Sequence, residues 1–166
     1  MRRHLAVLSP LALAAGLALP AHAAPEAKPD AKLLAAAEAA GRMCAVEAAD
    51  APVQTVWDLG IGDSTAIWFW QAVGAEIRVL DFYENHGYGL DHYAAVVASK
   101  PWAKGDDWVP HDARVRELGT GRTRVETMRK LGLRSRLVPD HKVEDGINAL
   151  RVLIPRMWWA TPETRD

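Results

Sequence analysis

From Val53 onward, β-branched and aromatic residues alternate with polar ones and are punctuated by glycine, the pattern of strands with a buried face. Val53 to Leu59 predicts a first strand, Gly60-Ile61-Gly62-Asp63 a hairpin turn, and Ser64 to Val73, rich in Ile and Trp, a second strand. Gly74-Ala75 then turns the chain into a third strand, Glu76 to Tyr83. After the Gly87-Tyr88-Gly89 loop the period changes: Leu90, Tyr93, Ala94 and Val97 share one face of a helix over Leu90 to Ser99. Asp107 to Pro110 reads as a short fourth strand ending at His111-Asp112. Val125 to Leu131 reads as a helix closed by Gly132, where a left-handed cap is needed. Arg134 to Val138 supplies a fifth strand, and Val143 to Met157 a last helix with Ile147, Leu150 and Ile154 on its apolar face. The order is three antiparallel strands, helix, strand, helix, strand, helix, which predicts an α/β domain with a mixed five-stranded sheet flanked by helices.

Upstream the texture differs. Met1 to Ala23 has a basic start at Arg2-Arg3, an apolar run from Leu5 to Leu19 interrupted by Pro10, and the exit Ala21-His22-Ala23. These are the parts of a secretory signal peptide. The run is too short and too interrupted for a membrane span, which takes about 20 apolar residues. The alternative is alanine-rich coding sequence lying ahead of the true start or joined to a fragment. Residues 24–52 read as a linker with an alanine-rich helix from Asp30 to about Arg42, residues 53–160 as the folded domain, and residues 161–166 as a tail.

A chain of 166 residues, 49% hydrophobic and 25% charged, suits one domain with an extension and leaves no room for a second full catalytic domain. The formal charge of -1 makes the whole chain no electrostatic magnet for nucleic acid, so any such affinity comes from local patterning. Cys44 is the single cysteine, which excludes an internal disulfide and a multi-cysteine zinc site.

The element order places acids at equivalent ends of separate elements: Asp58 in the first strand, Asp112 directly after the fourth, and Asp145 in the first turn of the last helix. Where the first and fourth strands are neighbours in such a sheet, carboxylates distant in sequence converge. Three such carboxylates suit magnesium or manganese, which take oxygen ligands and keep positions open for water and phosphate. Each acid also has a plainer reading as a turn former or cap, and Asp145 can simply favour the helix dipole. Glu144 competes with Asp145 as a ligand. Asp63 reads as a hairpin residue and Asp81 as the close of the third strand, each at most supporting the ligands from behind.

Four strings are less generic: Thr55-Val56-Trp57-Asp58-Leu59-Gly60-Ile61-Gly62-Asp63-Ser64-Thr65, Val109-Pro110-His111-Asp112-Ala113, Glu117-Leu118-Gly119-Thr120-Gly121-Arg122 and Val143-Glu144-Asp145-Gly146-Ile147-Asn148-Ala149. In this order they resemble the nuclease domain of tailed-phage terminase large subunits, over nearly everything after Ala40. The resemblance implies a ribonuclease H-like fold and a two-metal endonuclease using Mg2+ or Mn2+ to cut concatemeric double-stranded DNA during head filling. Asp58, Asp112 and Asp145 match its acidic positions, with Asp58 bridging the ions. It implies as partners the terminase ATPase domain, the small terminase subunit and the portal, with no membrane, and a cytoplasmic location; the leader-like start favours export instead. Other ribonuclease H-like hydrolases, such as a resolvase or an RNA-hybrid hydrolase, and an inactive prophage remnant remain as alternatives. No G-x-x-x-x-G-K-[ST] string is present, and Gly119-Thr120-Gly121-Arg122 lacks its spacing and lysine, so these residues read as a nuclease half without its motor.

Arg114, Arg116, Arg122 and Arg124 open a basic stretch that continues through Arg129, Lys130, Arg134 and Arg136. Gly119 and Gly121 let a backbone approach phosphate closely, so the stretch can hold DNA beside the metals. The equal alternative is a solvated helix face paired with Glu117 and Glu126. Trp68, Trp70, Trp158 and Trp159 read as core rather than base-stacking residues, and His111 alone is weak evidence for a general base.

Overall fold

Alternation and helical period translate into ten elements in the protein's computed structural model, which describes residues 43–44, 48–60 and 63–160. The leader-like segment, the expected helix from Asp30 to Arg42, Ile61 and Gly62 of the hairpin turn, and the 161–166 tail lie outside the described residues. The strands are β1 (Met43–Cys44), β2 (Val53–Asp58), β3 (Thr65–Val73), β4 (Glu76–Asn85), β5 (Lys104–Val109), β6 (Ser135–Leu137) and β7 (Met157–Ala160). The helices are α1 (Leu90–Ser99), α2 (Arg124–Lys130) and α3 (Val143–Leu153), with 3₁₀ turns at His111–Arg114 and Ile154–Arg156. All strands join one mixed sheet in the order β1-β7-β4-β3-β2-β5-β6. β2, β3 and β4 form the expected antiparallel meander, and β2–β5, β5–β6, β4–β7 and β1–β7 pair parallel.

The sheet therefore has seven strands among the described residues, not five. The last helix does not run to Met157: Pro155 carries no N–H to continue the helical ladder, so α3 gives way to the 3₁₀ turn, and Met157–Ala160 pairs with Ile77–Val79. The fourth strand starts at Lys104, earlier than the expected Asp107, because Val53 and Lys104 already pair. Asp81 does not close the third strand. It lies within β4, buried, where its carboxylate pairs with the Lys100 ammonium and accepts from the Phe82 N–H at 2.8 Å.

Strand alternation sorts side chains onto two faces. On one, Trp57, Ile67, Phe69 and Leu80 pack with Tyr93 and Val97 of α1 and Val125 and Met128 of α2. On the other, Val56, Trp68, Trp70, Val79 and Trp159 pack with Leu150 and Leu153 of α3. The tryptophans are thus mainly core residues, as expected. α2 begins with a reciprocal capping box, Glu126 N–H to Thr123 Oγ1 at 3.0 Å and Thr123 N–H to Glu126 at 2.8 Å, and ends at Gly132 with φ 89°.

The β2–β5 junction is tied by buried polar groups. Thr55 Oγ1 donates to Asp107 Oδ1 at 2.6 Å and accepts from Trp57 Nε1 at 2.7 Å; the Arg134 N–H donates to Asp107 Oδ2 at 2.7 Å. Burial raises the Asp107 pKa, against the lowering effect of these hydrogen bonds and of Lys104. Replacing Thr55 by Val leaves a carboxylate oxygen and an indole N–H without this hydroxyl in the interior. Thr55→Val is expected to destabilise the domain by at least about 1–3 kcal/mol in urea unfolding, whereas Thr55→Ser, which keeps the hydroxyl, loses far less.

Candidate active site

Because β2 and β5 run parallel as neighbours, Asp58 at the end of β2 and Asp112, in the 3₁₀ turn just past β5, emerge at the same edge of the sheet. Asp58 shares the strand parity of Val56 and so belongs to the α3 face. α3 joins β6 to β7, which run in the same direction, so its N-terminal turn, carrying Glu144 and Asp145, starts from that edge too.

Electrostatics separate the three acids. Burial pushes the Asp58 pKa above its usual 3.8, and the charges of Asp112 and then Asp63 push it further in the same direction. Asp58 and Asp112 are thus brought within mutual influence. Asp145 is exposed and does not figure among the charges acting on Asp58. Among the described residues, no group of three or more His, Cys, Asp or Glu side chains is arranged to hold a metal ion. Asp63, read from sequence as a turn residue, contributes to the field at Asp58; its place in the β2–β3 hairpin was the available signal.

The basic stretch is partly engaged in its own network. Arg124 Nε lies 3.3 Å from Glu117 Oε1, and its Nη1 is 4.0 Å from Asp112 Oδ2. Arg116 donates to the Gly121 carbonyl at 2.7 Å. The pKa of Glu126 is lowered first by the Thr123 N–H, with Arg116 and Arg122 adding smaller effects. Arg114 and Arg122 are exposed. Beyond this cluster, Arg136 pairs with Asp106 at 3.4 Å, and His111 lies 3.9 Å from Asp140.

An antiparallel meander extended by parallel strands, with helices on both faces, makes a ribonuclease H-like α/β fold. Solved structures of tailed-phage large terminases share this fold. The P22 large terminase nuclease domain aligns with TM-score 0.53 and 22% identity, covering 70% of this chain and 65% of that one. The large terminase of another, thermophilic bacteriophage, in its crystal form 3, aligns with TM-score 0.53 and 11% identity, covering 70% of this chain and 30% of that one. The large terminase nuclease of thermophilic phage G20c, solved with bound cobalt, aligns at TM-score 0.47 and 15% identity, over 70% of this chain and 60% of that one. The chain thus spans under two thirds of these proteins' lengths. No protein-family model matches the chain, and no curated protein matches it in sequence. No helix among the described residues is long and apolar enough to cross a membrane.

The raised Asp58 pKa has a signed consequence. Between the unfolded value and the raised folded value, the native state keeps a proton that the unfolded chain has released, so rising pH removes stability through that window. In metal-free buffer, Asp58→Asn is expected to melt higher than the wild type at neutral pH, the advantage shrinking on acidification. Asp112→Asn is expected to lower the Asp58 pKa only part of the way to 3.8, since burial is the larger cause. Carboxyl-carbon NMR titration checks this, and an unchanged Asp58 titration contradicts the coupling.

Proposed function

We propose that this chain carries a metal-dependent endonuclease domain acting on double-stranded DNA, of the kind that cuts concatemeric phage DNA during packaging. The observation supporting it most is that Asp58 ends β2 and Asp112 follows its parallel neighbour β5 at the same edge, with the Asp112 charge helping to raise the Asp58 pKa. The charges acting on Asp58 are both negative, and an oxygen donor set of that sign fits a hard divalent cation. Asp58 and Asp112 would hold Mg2+ or Mn2+, with Asp145, or Glu144 beside it, as the further donor on that edge. Two such ions, when bound, supply water activation and stabilisation of the leaving oxygen in phosphodiester cleavage.

The protein's own groups prepare the rest. Partial burial of Asp58 limits screening by water and strengthens its pull on a cation. Arg114, Arg116 and Arg122 follow Asp112 and would neutralise backbone phosphates, while Arg124, between Asp112 and Glu117, would meet the phosphate nearest the acids. The ATPase domain, small terminase subunit and portal are its proposed partners, and a cytoplasmic location follows from that role.

Asp58→Ala is expected to reduce manganese-dependent nicking of supercoiled plasmid to background, with an unchanged circular dichroism spectrum and lost manganese heat in titration calorimetry. Undiminished cutting by the variant would refute the site. Parallel assays on duplex DNA, branched DNA and an RNA–DNA hybrid distinguish the proposed substrate from those of a resolvase or a hybrid hydrolase.

A further inference from the structure

A cleft of about 540 Å³ opens on the side of the sheet that carries α1 and α2. Leu59, Gly60 and Thr65 of the β2–β3 hairpin line it, as do Tyr88 and Arg124. Arg124 Nη1 lies 4.0 Å from Asp112 Oδ2, which ties the cleft to that one candidate ligand, while Asp58 belongs to the opposite face of the sheet. Of its two tyrosines, Tyr93 is buried and Tyr88 faces solvent. Tyr88 is 53% exposed yet stacks on His92 of α1, with centroids 4.1 Å apart and planes at 18°. His92 is itself held: its Nε2 lies 2.7 Å from the Tyr83 hydroxyl, which accepts from Asn85 Nδ2 at 3.1 Å. Gly87, with φ 77°, turns the loop that presents the ring.

A solvent-facing tyrosine ordinarily loses rotamer freedom when it binds a partner, and here stacking on a braced imidazole has already ordered the ring. A braced π-face at one part of a cleft and a guanidinium at another match the two halves of a nucleotide, a flat base and an anionic phosphate. We propose that the cleft takes one unpaired nucleotide of the DNA strand, with its base stacked on Tyr88 and its phosphate met by Arg124. This rests on the nuclease reading and refines it: the domain engages a locally opened strand rather than an intact duplex alone.

The test is a single-stranded oligonucleotide carrying 2-aminopurine, titrated in EDTA so that no cutting occurs, with fluorescence quenching and anisotropy read together. The wild type should quench the probe. Tyr88→Ala should lose the quench and bind roughly tenfold more weakly, while Tyr88→Phe and Tyr88→Trp keep both and fully paired duplex binding is little changed. Absence of quenching by the wild type, or equal quenching by Tyr88→Ala, overturns the assignment. The nuclease reading fails separately: a chain that quenches through Tyr88 yet never nicks plasmid with manganese sustains the cleft and sinks the enzyme.

Discussion

The parallel pairing of β2 with β5 is the constraint on which the rest depends. These strands are far apart in the chain, and their ladder is reinforced by the Thr55 hydroxyl reaching Asp107 across 52 positions. The interior carboxylate also takes the Arg134 N–H, so one buried group links β2, β5 and the approach to β6. Gln54 extends the same seam: its Oε1 accepts from the Asp106 N–H at 3.0 Å and from Trp108 Nε1 at 3.2 Å beside the register shift at Val53/Thr55. Gly105 is needed there, because a Cβ would come within 2.9 Å of the Val53 carbonyl oxygen. Registering this seam is what sets Asp58 and Asp112 at one edge.

That edge is a place where folding and chemistry oppose each other. Bringing carboxylates together and removing water from one of them costs stability in the absence of a counter-ion. The domain tolerates this because the cost falls at a strand end, outside the two apolar layers that supply most of its cohesion. Arg124 offsets part of it from the Asp112 side, at the outer limit of ion-pair distance.

Much of this was legible from residue patterns because long strands and capped helices carry their signals locally. Nine residues of Thr65–Val73 display enough Ile and Trp to mark a strand, and Gly132 announced the left-handed end of α2. The seven-stranded sheet was not legible, since β1 and β7 have two and four residues and their pairing is stabilised only by neighbours distant in sequence. No period can be counted over so few positions, and Met157-Trp158-Trp159 looks equally at home at the end of a buried helix. The place of Asp81 is hidden for a related reason: its partner, Lys100, lies 19 positions away on the far side of α1. Of the candidate acids, the nearness of Asp58 to Asp112 followed from element order, whereas the Asp63 contribution and the Tyr88–His92 stack arise from loop geometry that local composition does not encode.

The position of β7 also bears on synthesis. Among the described strands it is the last to leave the ribosome, yet its place is inside the sheet, between β1 and β4. Until it arrives, the Ile77–Val79 edge is unpaired and the ring of Trp68 lacks Trp159 as a cover. Parallel insertion at long sequence separation is slow, and an open apolar edge invites pairing with other chains. A nascent molecule therefore passes through a sticky interval during translation, in which chaperone protection would matter more than it does for the finished domain.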